Sequence, residues 1–117
     1  MDKILSKVYL SNDNVSNQYT CIWDTGSMET LISEKVVQDL NPSKHGYVFL
    51  NTIHGEKKSD KYIINLSLVN HTKSIKINSA CFGKSREFDI IIGMDIINYG
   101  LFVLDHGNLT FTIEQLK

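Results

Sequence analysis

Ile22-Trp23-Asp24-Thr25-Gly26-Ser27, running on into Met28-Glu29-Thr30-Leu31-Ile32, is the stretch that decides the fold. An apolar run ends on an aspartate, and a Thr-Gly turn follows. That order sets a carboxylate on a tight turn at the end of a buried strand, in the floor of a cleft. The chain carries no convincing second copy. A second carboxylate would therefore come from another chain.

The chemistry that needs such a carboxylate is hydrolysis without a metal or a covalent nucleophile. Two carboxylates a few ångströms apart cannot both ionise comfortably, so they share one proton. One then takes a proton from water while the other polarises the carbonyl. Asp24 is the candidate catalytic residue. Thr25 is expected to support it through its hydroxyl, Gly26 through a free backbone N–H, and Ser27 through a further donated hydrogen bond. Under that last expectation, removing the Ser27 hydroxyl would move the acidic limb of the activity profile upward.

Outward from the motif, the chain reads as short strands between turns. Strands are expected at Ile4 to Leu10, Tyr19 to Trp23, Tyr47 to Ile53, Tyr62 to Val69, Ser74 to Phe82 and Phe88 to Ile92. Ser11-Asn12-Asp13-Asn14 and Asn70-His71-Thr72-Lys73 are turn clusters. The segment from His54 to Asp60 is too polar for core and reads as an exposed hairpin tip. Ser33 caps a predicted helix running to Leu40, ahead of Pro42. Ile96 to Tyr99 reads as one helical turn with Gly100 as its stop, and Asp95 as the residue that caps or begins it. Leu101 to Leu104 and Leu109 to Ile113 flank Asp105-His106-Gly107-Asn108, a hairpin signal. Ile90-Ile91-Ile92-Gly93 faintly echoes the strand-into-glycine pattern at Asp24, and two such units can cross under one site.

With 117 residues, 42% hydrophobic and 21% charged, the sequence suits one domain over 1–117 with its own core. The net charge is −1 and lysines are scattered, which argues against a nucleic-acid face. Cys21 and Cys81 have no metal or redox spacing and read as reduced, buried hydrophobes. The four histidines, His45, His54, His71 and His106, have no metal-like spacing, so neither metal nor cofactor is expected. No signal peptide or membrane span is evident, so the expected compartment is the cytoplasm.

Three segments together resemble the retropepsin-like aspartic proteases, and most of all their small bacterial members. They are Trp23-Asp24-Thr25-Gly26-Ser27, Thr52-Ile53-His54-Gly55, and Phe88-Asp89-Ile90-Ile91-Ile92-Gly93-Met94-Asp95-Ile96-Ile97. The resemblance implies an all-β, closed barrel-like fold with one or two short helices, and a homodimer with one catalytic aspartate per chain. It implies Asp24 as acid/base, Thr25 locking the two active-site turns together, and Gly26 as a backbone contact. It implies a flap from about Ile53 to Lys61 over an extended peptide. Ile53, His54, Gly55 and Glu56 of that flap, with Ile92 of the cleft, would touch substrate. The N-terminal strand and the hairpin from Leu101 to Ile113 would form the dimer sheet.

Two departures are visible. The flap tip is charged where family members often carry glycines, and Met94 stands where the retroviral enzymes usually carry arginine. The only arginine is Arg86. The expected function is an aspartic endopeptidase. The charged flap keeps a second reading open, a dimer that binds peptide without turnover. A third is a self-assembly domain in which Asp24 merely forms a turn.

Overall fold

A computed structural model of the chain describes residues 3–69 and 74–113. The predicted turn at residues 70–73, with His71, lies outside them. Among the described residues, nine strands and two short helices follow in order: β1 Leu5–Asn12, β2 Val15–Trp23, β3 Leu31–Ser33, α1 Glu34–Leu40, β4 Lys44–Thr52, β5 Gly55–Leu68, β6 Ser74–Gly83, β7 Ile90–Ile92, α2 Met94–Ile97, β8 Gly100–Asp105 and β9 Asn108–Ile113. The strand order β1-β2-β7-β3-β6-β5 closes through a β1–β5 pairing into a six-stranded barrel. β4 flanks β5 outside the ring, and β8–β9 form a separate ribbon. The fold is all-β and closed, as expected. No helix among the described residues is long and apolar enough to cross a membrane.

Period-two patterning builds the ring. Val8 and Leu10, Tyr19, Cys21 and Trp23, Ile64, Leu66 and Leu68, and Ile75 and Ile77 all turn into one core. Asp13 takes a positive φ in the turn between β1 and β2. His106 and Gly107 both do so between β8 and β9, matching the twist of a two-residue hairpin. The Ser33 hydroxyl accepts the Val36 N–H at 3.2 Å and starts α1. The helix stops where Asn41 turns left-handed and its N–H donates to the Val37 carbonyl.

Several expected boundaries move. The hairpin tip is only Ile53-His54, and β5 begins at Gly55. Glu56 to Asp60 pair across to Asn51 to Tyr47, so they form a ladder and not a loop. α2 begins at Met94, two residues early, and Gly100 opens β8 instead of stopping the helix. The strand expected from Phe88 starts at Ile90.

One arrangement positions the site. β7 lies between β2 and β3, parallel to the first and antiparallel to the second. The two strand-into-glycine units of the sequence thus run side by side, with Trp23 level with Ile92.

Candidate active site

Trp23 ends β2 and is buried between Phe102 and Phe111, with ring centroids 5.7 and 4.9 Å away. Its indole N–H donates to the Ser6 hydroxyl at 2.9 Å, so the aromatic floor is fixed at its polar end too. The next residue is Asp24. Its N–H donates to the Ile92 carbonyl at 2.9 Å, extending the β2–β7 ladder by one step. Its carbonyl accepts the Ser27 N–H at 3.1 Å and closes the turn.

Gly26 donates its N–H to Asp24 Oδ1 at 2.9 Å. A Cβ at Gly26 would lie 3.2 Å from that same oxygen, so a side chain there would crowd the carboxylate. Asp24, Thr25 and Gly26 are exposed. The Thr25 hydroxyl makes no hydrogen bond among the described residues, so the expected Thr25 to Asp24 bond is absent. Ser27 also departs from expectation. Its hydroxyl donates to the Glu29 carbonyl at 2.7 Å and not to Asp24. The short side chain meets a nearer acceptor two residues ahead on its own turn. The expected shift of the acidic limb therefore has no hydrogen bond behind it.

The turn is stitched to the segment that follows β7. Met94 N–H donates to the Ser27 carbonyl at 2.8 Å, and Asp95 N–H to the Met28 carbonyl at 3.2 Å. Gly93 N–H donates to Thr30 Oγ1 at 3.1 Å. Gly93 packs so closely that a Cβ would stand 2.6 Å from the Glu29 carbonyl oxygen and 2.7 Å from that of Ser27. Asp95 lies in the first turn of α2 but is not its cap, a position Gly93 holds. Its carboxylate accepts from the backbone and hydroxyl of Thr30, and from the Ile96 N–H. Sequence reading missed Thr30; a threonine before an apolar pair carries no distinctive signal.

Ile92, expected in the cleft, is fully buried in the core. Strand parity explains this. Cys21, Trp23, Ile90, Ile92 and Ile32 point into the core, and their neighbours Ile22, Ile91 and Leu31 lie half-buried on the other face. Ile22, Ile91 and Leu31 are level across β2, β7 and β3. Alternation puts Asp24 on the face of Ile22. Ile91, and not Ile92, therefore shares the face of Asp24. A cavity of about 460 Å³ opens beside Asp24 and Thr25, walled by Ile4, Ile22, Phe102 and Leu104.

The β4–β5 hairpin has two distinct faces. Ser59 is buried, and its hydroxyl accepts the Cys81 N–H of β6 at 3.2 Å, so Val48, Leu50, Lys57 and Ser59 face inward. Tyr47, Phe49, Glu56 and Lys58 face outward, with the Lys58 ammonium 4.5 Å from the Tyr47 ring centroid. Glu56 is thus on the outer face, against expectation, because it pairs with Asn51 one step out of phase with the inner residues. Ile53 and His54 form the exposed tip, and Gly55 has φ +101° as β5 leaves it. Burial pushes the Cys21 thiol up to about 12 and raises that of Cys81 as well. Among the described residues no three His, Cys, Asp or Glu side chains converge as a ligand set.

No family model and no curated protein matches the sequence. Solved structures do. A retropepsin-like aspartic protease from Rickettsia conorii is 16% identical, with a TM-score of 0.59 over 94% of this chain and 92% of that one. The simian foamy virus (mac) protease is 18% identical, with a TM-score of 0.55 over 80% of this chain and 93% of that one. The retroviral protease-like domain of Ddi1 from Leishmania major is 14% identical, with a TM-score of 0.55 over 90% of this chain and 86% of that one. With a closed six-stranded ring, a strand crossing between β2 and β3, and these structural neighbours, the chain has the retropepsin-like fold.

Proposed function

We infer that the chain is an aspartic endopeptidase that works as a homodimer. The observation that carries this reading is the Asp24 carboxylate. It is exposed on a rigidly stitched turn, beside a cavity and at the end of an apolar row. One chain supplies one such carboxylate. Two turns facing each other across a two-fold axis supply a pair that shares a proton and titrates as a unit. The ionised member takes a proton from water, the water oxygen adds to the peptide carbonyl, and the protonated member donates to the carbonyl oxygen. Collapse of that intermediate to carboxylic acid and amine returns the shared proton.

Each part of the fold has a place in this scheme. The free Thr25 hydroxyl is available to the partner's turn. Leu5, Leu101 and Leu104 are about half exposed on β1 and β8, apolar surface suited to a partner chain. A groove of about 650 Å³ lies between Leu5 and Leu104. Ile22, Ile91 and Leu31 form the substrate floor. The β4–β5 hairpin acts as the flap, with Leu50 and Lys57 on its substrate side.

Cleavage of a mixed peptide library from about pH 3.5 to 7.5 tests the reading, with wild type beside Asp24→Asn. Cleavage by wild type alone supports it, and equal cleavage by both would sink it. The charges at Glu56 and Lys57 beside the tip favour one second reading, peptide binding without turnover. A confirmed dimer that binds library peptides and cleaves none would select that one.

A further inference from the structure

A second cavity, about 550 Å³, lies on the same face of the sheet as Asp24 but at the other end of the strands. The register fixes this. Asp89 N–H donates to the Thr20 carbonyl and Ser33 N–H to the Asp89 carbonyl, both at 2.8 Å, so the ladder continues past β7. Alternation puts Thr20, Asp89 and Ser33 on the face of Ile22, Ile91 and Leu31. The hydrogen bond from the Ser33 hydroxyl to Asp89 Oδ1 at 3.0 Å agrees with that parity. One sheet face thus carries the Asp24 carboxylate, then an apolar middle, then this cavity. Four residue steps along the strand, from Thr20 to Asp24, separate Asp24 from the level of Asp89, about 13 Å at the usual rise.

The cavity is lined by three cations, Lys35, Lys84 and Arg86, and two acids, Glu34 and Asp89. Most of this charge is already used. Lys35 is held by Asp39 at 2.6 Å, Lys84 approaches Glu34 at 3.8 Å, and Asp89 accepts from Ser33. Arg86 makes no ion pair or hydrogen bond with any described residue and is exposed. A guanidinium with its full fork of donors free, on the rim of a ligand-sized cavity, fits a carboxylate in two-pronged fashion.

The geometry points to a specificity site for an acidic residue of the peptide, anchored by Arg86. This rests on the peptidase reading of Asp24. An extended peptide crossing the apolar row covers about 13 Å in four residues, so the acidic residue sits about four positions from the cleaved bond. Arg86 acts on binding and not on the chemical step. Its loss raises KM for acidic peptides and leaves kcat in place.

Two measurements test it. In the first, cleavage sites in a mixed peptide library are mapped by mass spectrometry for wild type, Arg86→Gln and Arg86→Lys, all checked for equal melting temperature. Wild type should favour Asp or Glu three to five residues from the cut by about tenfold, the scale of one charge-assisted contact. Arg86→Gln should lose that preference through KM, and Arg86→Lys should keep part of it. An unchanged acidic preference in Arg86→Gln, or no such preference in wild type, overturns the proposal. The second is binding of fluorescein-labelled tetra-glutamate to Asp24→Asn, with and without Arg86→Gln, followed by anisotropy. If wild type cleaves nothing, Arg86-dependent binding upholds the site while the peptidase reading falls. Binding that ignores Arg86, or its absence, overturns the site.

Discussion

Thr30 gives both of its donors to one carboxylate. Its N–H reaches Asp95 Oδ2 at 3.0 Å and its hydroxyl reaches Oδ1 at 2.6 Å. The same hydroxyl oxygen accepts the Gly93 N–H, and the Thr30 carbonyl accepts the Ser79 hydroxyl of β6 at 2.7 Å, so three segments meet at one buried threonine. This junction ties the segment after the Asp24 turn to the one that follows β7. Asp95→Ala should therefore destabilise the fold by about 1–3 kcal/mol, because it strands two donors. Asp95→Asn, which keeps one acceptor, should cost less. Urea midpoints of the two variants beside wild type decide this, and equal midpoints would refute the junction's role.

Gly93→Ala should be worse than either. The added methyl group meets backbone oxygens of Ser27 and Glu29, which cannot swing aside as a side chain could. A loss of about 3 kcal/mol or more is expected, the upper end for overpacking. Thermal unfolding measures it, and a melting temperature within a degree or two of wild type would contradict the close approach.

Ile91 and Ile92 are neighbours with opposite duties. Ile92→Ala should cost about 2–5 kcal/mol of stability, as for a filled core site. Ile91→Ala should cost much less stability but lower kcat/KM by about tenfold, the scale of apolar pocket contacts. Melting curves and steady-state kinetics on the pair separate the two. A larger stability loss at Ile91 would reverse the assigned parity.

Acid titration offers a separate check. Lys35 beside Asp39 holds that carboxyl below its usual range, against the opposing pull of burial. A lowered folded pKa means a contribution present above the unfolded value and lost as pH falls through the folded one. Asp39→Asn should therefore flatten the fall in melting temperature below about pH 3.9, the ordinary carboxylate value. An acid limb identical to that of wild type would remove Asp39 from the account.

Thiol chemistry gives the last prediction. Burial sets Cys21 at about 12, so the folded chain should resist alkylation there near neutral pH. Peptide mapping after iodoacetamide treatment, with and without urea, reads this directly. Rapid modification of Cys21 in the folded chain would contradict its packing.

Much of the fold is legible in the sequence because alternation and turn residues are local signals. Val8 and Leu10 alternate, His106-Gly107 makes its hairpin, and Ser33 caps its helix without help from afar. What eludes the sequence depends on distant partners. Glu56 to Lys58 look like loop because polarity cannot distinguish a loop from a strand wet on its exposed faces. Three successive isoleucines cannot reveal which one faces the cleft, because β2 and β3 set that parity from either side. The Ser27 hydroxyl donates to the Glu29 carbonyl because the path of the turn brings that oxygen to it. Asp24 itself stands out in the sequence because an apolar strand running into Asp-Thr-Gly is both local and unusual.

The bond from Asp24 to the Ile92 carbonyl joins the first quarter of the chain to its last. Such a contact forms only after a long loop has closed, and folds rich in them assemble slowly. A chain still being synthesised carries Asp24 but lacks β7, and so lacks the strand that shapes the turn. Under the peptidase reading, the newborn protein is harmless until β7 has been made. The order of residues then acts as a timer, delaying hydrolysis until both strands that shape the turn exist.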